Sequence, residues 1–157
     1  MIKFMKKIVL YLFLLITTFS LGSCKMGLDD LPTFEEAELI NFWFEHREIV
    51  EKTNPDGSKF EQVVFTDLKE ICSFKKSEES NGIVKCVVTI NSAASPKTID
   101  MTNIAGKANI STAAFIEPVN GSPKLGTMGD FSKPVTYMVT AADKETIKKY
   151  EISVVVN

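Results

Sequence analysis

Few residues in this chain can do acid–base or nucleophilic chemistry near neutral pH: one histidine, His46, and three cysteines, Cys24, Cys72 and Cys86. A hydrolytic triad needs a base beside its nucleophile. His46 stands between Glu45 and Arg47 with no partner visible in the sequence, and reads as a surface residue. Paired-carboxylate chemistry needs two acids facing one cleft. The acids here are scattered, and the adjacent pairs Glu35-Glu36 and Glu78-Glu79 would point to opposite sides of a strand. Asn54-x-Asp56-Gly57 begins like a calcium loop but lacks its remaining oxygen ligands. There is no histidine pair and no glycine-rich phosphate-binding run. The expectation is a protein without metal, cofactor or catalytic activity. Trp43, the single tryptophan, is the candidate for a different kind of site. Facing solvent, its ring would stack on a sugar; with both faces of its strand covered, it is a core residue, as tryptophans on average are.

Cys24 carries a more definite chemistry. It ends the run Leu21-Gly22-Ser23-Cys24, after a basic start (Lys3, Lys6, Lys7) and the apolar stretch 8–16. A plain secretory signal needs only small residues at its cleavage site; small residues directly before a cysteine form the layout of a bacterial lipoprotein signal, with the cysteine as lipid acceptor. The alternative is a transmembrane helix, but the strongly apolar run is about half of the roughly 20 residues a span requires. Residues 1–23 are therefore read as a signal peptide and residues 24–36 as a lipidated cysteine with a flexible tether rich in Gly, Asp, Pro and Thr. Residues 37–157 form one domain. The lipid anchor places the protein at the outer membrane, on the periplasmic leaflet or the cell surface, with the charged residues Lys25, Asp29 and Asp30 leaning the reading toward the surface.

Cleavage would remove three lysines and no acid, leaving 15 basic and 20 acidic residues and a net charge of −5. A nucleic-acid binder needs a basic face, so nucleic acid is excluded as a partner. The remaining partners are the membrane, through the lipid, and an envelope protein or a glycan.

Cys72 and Cys86 flank the polar stretch 77–82. A hairpin centred on Glu79 puts them directly opposite, near the spacing of a disulfide, and an oxidising compartment permits the bond. The alternative is two buried thiols on neighbouring strands.

The rest of the chain alternates as strands do. Residues 39–44 place Ile40, Phe42 and Phe44 on one face and Trp43 on the other, and 46–50 reads as a separate strand. Asn54-Pro55-Asp56-Gly57 is a turn signal, followed by a strand at 59–65. The cysteine hairpin comes next, then a loop over 91–96, a weak strand at 98–101 and a better one at 108–116. The chain closes with a hairpin: 135–140, with Val135, Tyr137 and Val139 facing inward, and 149–156, burying Tyr150, Ile152, Val154 and Val156. Only a short helix at 66–70 would break the pattern. About seven short strands favour an all-β sandwich.

The C-terminal run Phe131-Ser132-Lys133-Pro134-Val135-Thr136-Tyr137-Met138-Val139-Thr140-Ala141-Ala142-Asp143, followed by Lys149-Tyr150-Glu151-Ile152-Ser153-Val154, resembles the end of small Ig-like domains in Bacteroidetes lipoproteins. Residues 40–44 are similar to their first strand. The resemblance implies an immunoglobulin-like β-sandwich over most of 37–157, found near polysaccharide-uptake and surface-adhesion systems, and it supplies no catalytic residues. Two departures stand out. Asp143-Lys144-Glu145 replaces a tight Asp-Gly turn, and the stretch from His46 to Cys86 is longer and more charged than such a module needs. The reading is a non-catalytic structural or protein-interaction module of the cell envelope; the alternative is a weak glycan-binding module using Trp43.

Overall fold

The computed structural model describes residues 34–157; the expected signal peptide, Cys24 and the expected tether as far as residue 33 lie outside the described residues. Nine strands follow in order: β1 Leu39–Thr53, β2 Lys59–Asp67, β3 Cys72–Ser80, β4 Ile83–Ile90, β5 Ile104–Ile110, β6 Phe115–Val119, β7 Met128–Gly129, β8 Val135–Thr140 and β9 Ile147–Val156. They form a four-stranded sheet, β2-β1-β5-β7, and a five-stranded sheet, β3-β4-β9-β8-β6. The two sheets pack face to face as an immunoglobulin-like β-sandwich. All pairings are antiparallel except β4 with β9, which run parallel.

The inward faces explain why these sheets meet. β8 presents Val135, Tyr137 and Val139, β9 presents Tyr150 and Ile152, and β4 presents Cys86, Val88 and Ile90; all are buried. Phe42 and Phe44 of β1 face them and form an aromatic cluster with Phe131, which enters from the loop before β8. Phe44 and Phe131 meet edge-to-face at 5.2 Å between centroids, and Phe42 lies 5.8 Å from Tyr137, within the favoured range for aromatic pairs. Both buried phenols have a partner: Tyr137 OH donates to Pro123 O at 2.7 Å and Tyr150 OH to Ala37 O at 3.0 Å. Gly106 of β5 lies against the cluster, and a β-carbon there would meet Phe131 Cζ at 2.7 Å.

The structure corrects the expected strand pattern at several points. β1 is one 15-residue strand rather than two. A register shift between Leu39 and Asn41 against β5 inserts an extra residue, so Leu39 and Phe42 both point inward while Ile40 is turned out to solvent. Residues 98–101 form no strand. The segment 108–116 breaks at Ser111, whose Oγ donates to Glu36 O and accepts from Glu38 N–H. Ala113 then takes a left-handed conformation, φ 62°, and the chain crosses to the other sheet as β6. The short helix is a single 3₁₀ turn, Lys69–Ile71. Val156 is exposed rather than buried.

The Cys72–Cys86 disulfide is not formed; both cysteines are free. The hairpin turns at Asn81-Gly82, both at positive φ (54° and 73°), as a two-residue hairpin turn requires, and not at Glu79. The register then pairs Cys72 with Ile90 and Cys86 with Lys76. Four residues of offset on one face separate the thiols by about 13 Å along the strand. Burial pushes the Cys72 thiol pKa up and takes that of Cys86 to about 11.

Candidate interaction surface

The distinctive part of the molecule is where β1 outruns the sandwich. β5 pairs with β1 only as far as Glu45; beyond it, β1 pairs with β2 alone, from Glu45↔Asp67 to Thr53↔Lys59, without interruption. The result is a two-stranded arm closed by the turn at 54–58. Asn54 N–H donates to Ser58 O, Asp56 Oδ1 accepts from Ser58 N–H, and Gly57 takes φ 86°. This arm accounts for the first half of the long, charged 46–86 stretch.

The outward face of the four-stranded sheet and its arm carries three successive groups. At the base, Trp43 is only 9% exposed. Its indole Nε1 donates to Asp67 Oδ2 at 3.4 Å, and the Lys69 ammonium sits 5.1 Å over the ring. Trp43 therefore offers no open face for a sugar. Next, Glu45 is a buried carboxylate held by two cations, accepting from Arg47 Nε at 2.7 Å and from Lys107 Nζ. Burial raises the Glu45 pKa, but the hydrogen bonds and charges of Lys107 and Arg47 outweigh it and hold the group below the usual carboxylate range. Arg47 also lies 5.2 Å over the Phe65 ring, a cation–π contact. Finally, the apolar residues of this face of the arm stand in water: Ile49 is 67% exposed, Phe65 58% and Val63 46%, while Phe60, 42% exposed, opposes Lys52 on the other face. Ile49 and Val63 are directly paired across the strands and line a shallow depression with Arg47, Glu48, Asn103 and Met128.

The other residues singled out in the sequence do not converge. His46 lies on the opposite face of β1, half-buried, with Nδ1 buried and unpartnered. Among the described residues no three of His, Cys, Asp and Glu gather in metal-binding geometry. Cys24 lies outside the described residues. The arm was only partly legible in sequence: the Asn-Pro-Asp-Gly turn and its two flanking strands were visible, but not that the sandwich ends at Glu45.

A second polar cluster ties the start of the domain to the five-stranded sheet. Glu38 accepts from Lys148 and from Lys76 at 2.9 Å, and lies 3.2 Å from Tyr150 OH, whose one proton it shares with Ala37 O. The Lys148 hydrogen bond, working against desolvation and helped by Lys76, lowers the Glu38 pKa to about 2.

A family model described as DUF5018-related matches residues 39–153, from the first residue of β1 almost to the end of β9. The chain belongs to the DUF5018-related family. Among solved structures, this DUF5018-related domain is similar to a protein from Bacteroides fragilis described as secreted, with 28% identity and a TM-score of 0.57, covering 80% of this chain and 99% of that one. It also matches part of a Bacteroides thetaiotaomicron protein described as a glycoside hydrolase, with 24% identity and a TM-score of 0.40, covering 83% of this chain but only 28% of that one. At that score the second likeness carries no argument about activity. No curated protein matches the chain.

Proposed function

We propose that this DUF5018-related domain is a non-catalytic interaction module of the cell envelope, held at the outer membrane by lipid on Cys24, and that it engages a protein partner through the β1–β2 arm. The observation that carries the reading is the cluster of exposed apolar side chains on one face of the arm, Ile49, Val63 and Phe65, along an open sheet edge. Isolated two-stranded hairpins are marginal in water, and contiguous exposed apolar surface marks an interaction site. The similarity to a secreted Bacteroides protein supports a location outside the cytoplasm, and the lipoprotein signal supports the anchor. The buried Trp43, with its N–H engaged and a lysine over its ring, weighs against the glycan reading.

The test is a photo-crosslinking residue placed at Phe65 or Ile49 in the full-length protein in its native envelope, with Glu117 on exposed β6 as the control position. Arm positions are expected to give protein adducts that the control does not. Glycan-array binding lost on Phe65→Ala, with no protein adduct, would replace the reading. In parallel, Cys24→Ser is expected to abolish labelling by a fatty-acid probe; equal labelling would remove the anchor.

A further inference from the structure

The sandwich has four sheet edges, and three are blunted. β7 is two residues long. β6 carries Pro118, which has no N–H to offer. β3 is interrupted by a register irregularity between Lys76 and Glu79 and bears Lys75, Lys76, Glu78 and Glu79. Such short strands, prolines, bulges and charges are how sheets avoid edge-to-edge pairing. β2 has none of the first three. It is nine residues long and unbulged, and holds Phe60, Val63, Val64 and Phe65.

The hydrogen-bond phase of this edge is fixed at both ends. Leu68 N–H donates to Phe44 O, and Asn54 N–H donates to Ser58 O. Antiparallel ladders alternate hydrogen-bonded and non-hydrogen-bonded pairs. The even-numbered residues of β2 therefore direct their N–H and C=O groups to β1. Lys59, Glu61, Val63, Phe65 and Asp67 direct theirs to the open edge.

Resting on the reading of the arm as an interaction surface, we infer that its partner is a second copy of this chain, joined by two-fold antiparallel β2–β2 pairing centred on Val63. This register opposes edge-directed residues to one another, as the ladder demands, and uses all nine residues. Val63 meets Val63, Glu61 meets Phe65, and Lys59 of each copy, paired within its own copy with Glu51, meets Asp67 of the other, whose oxygens also accept from Trp43 and the Lys69 N–H, so that opposite charges are joined at both ends. The neighbouring registers are poorer: centring on Gln62 opposes Lys59 to Phe65 and leaves Asp67 beyond the partner strand, and centring on Val64 opposes Glu61 to Asp67. Opposed residues share a face, so the outward apolar pairs Ile49–Val63 of the two copies join into one row across the axis. The two four-stranded sheets become a single eight-stranded sheet, and the open edges are consumed.

The test uses the full-length chain in its native envelope. Val63→Cys is treated with a short bis-maleimide and compared with Glu117→Cys for crosslinked dimer. Lys59→Glu and Asp67→Lys are then each added to Val63→Cys; because Asp67 also accepts from Trp43 and the Lys69 N–H at the base of the arm, the charge pairing is read from recovery on co-expression, and no recovery overturns the register. Either charge variant alone opposes like charges at both ends of the ladder, and co-expressing the two restores opposite charges at both. Dimer is expected from Val63→Cys and not from the control. It should fall about fivefold or more in each charge variant, the scale of two opposed like-charge pairs, and recover on co-expression, with envelope abundance unchanged as the check on folding. Yield at Val63 no higher than at the control, or equal yield across the charge variants, overturns the self-pairing. Adducts at Val63 with a different protein overturn it while leaving the interaction surface in place; no adduct of either kind removes both.

Discussion

Gly106→Ala should destabilise this domain, against the usual sign of that substitution. Gly106 has an ordinary negative-φ strand conformation, and replacing such a glycine by alanine commonly stabilises by about 0.4–1 kcal/mol through the unfolded chain. Here the new methyl would stand 2.7 Å from Phe131 Cζ, 3.0 Å from Phe131 Cε1 and 3.0 Å from Phe42 Cζ. Ordinary carbon contacts lie near 3.5–4.0 Å, so a ring must retreat by the better part of an ångström. Neither ring is free to do so: Phe131 is edge-on to Phe44, and Phe42 is against both Phe44 and Tyr137. Overpacking of this kind costs about 1–3 kcal/mol, leaving a net loss of about 1–2 kcal/mol and a melting point lower by roughly 3–10 °C. Thermal denaturation followed by circular dichroism measures it. Phe131→Leu shortens the obstructing ring, so the double variant should lose less than the sum of the singles by about 1 kcal/mol. An unchanged or raised melting point for Gly106→Ala, or strict additivity with Phe131→Leu, would refute the packing argument.

Three further outcomes are expected. The Glu38 carboxyl has its pKa lowered from 4.5 to about 2 by Lys148 and Lys76 against desolvation, so its contribution is complete above the unfolded value and is lost as pH falls from about 4.5 to about 2; Glu38→Gln should flatten the acid limb of a urea-midpoint profile, and an identical limb would contradict the assignment. Protein matured in the envelope should show two free thiols on unfolding without reductant, with Cys86 silent in the native state because burial raises its pKa to about 11; a count of zero would restore the disulfide. Lys144 sits at φ 63° in the turn before β9, a conformation that costs a non-glycine residue about 1 kcal/mol or more, so Lys144→Gly should raise stability by about that amount, and a lower denaturant midpoint would count against it.

The parts of the fold legible in sequence were those where alternation is local and one face is fully buried. Val135, Tyr137 and Val139, facing Tyr150 and Ile152, mark the β8–β9 hairpin without ambiguity. The cysteine hairpin was misregistered because the polar run from Ser77 to Gly82 looks like one turn. Ser77 to Ser80 instead continue β3, an edge strand with solvent beside it, and only Asn81-Gly82 has the chemistry of a two-residue turn. Ile40 was misplaced because a bulge shifts the face without changing the pattern that precedes it. The parallel pairing of β4 with β9 joins residues more than 60 positions apart and leaves no local trace. Of the candidate residues, Trp43 was visible as a choice between core and solvent; what decides it, Asp67 and Lys69, comes from the far end of β2 and the turn after it.

The arm shows where this chain departs from what a sandwich requires. Among the described residues every fully buried aromatic ring, Phe42, Phe44, Phe131, Tyr137 and Tyr150, sits between the two sheets, and β1 serves that core with its first half. Its second half adds nothing to that core and touches the rest of the domain through polar contacts such as Glu48 with Lys97 at 2.9 Å, yet it carries Ile49 and supports Val63 and Phe65 on β2, at a cost in exposed apolar surface that a self-contained module would avoid. The join between the halves is held by several polar contacts: Glu45, clamped by Arg47 and Lys107, and Asp67, bound to Trp43 and to the Lys69 N–H at 2.8 Å, lie side by side in register. That base fixes the angle at which the arm leaves the sandwich and holds Asp67 at the end of the open edge. Local order at the base and exposed apolar surface beyond it are the combination expected of a preorganised docking strand, because little conformational entropy remains to be lost when a partner strand adds to it.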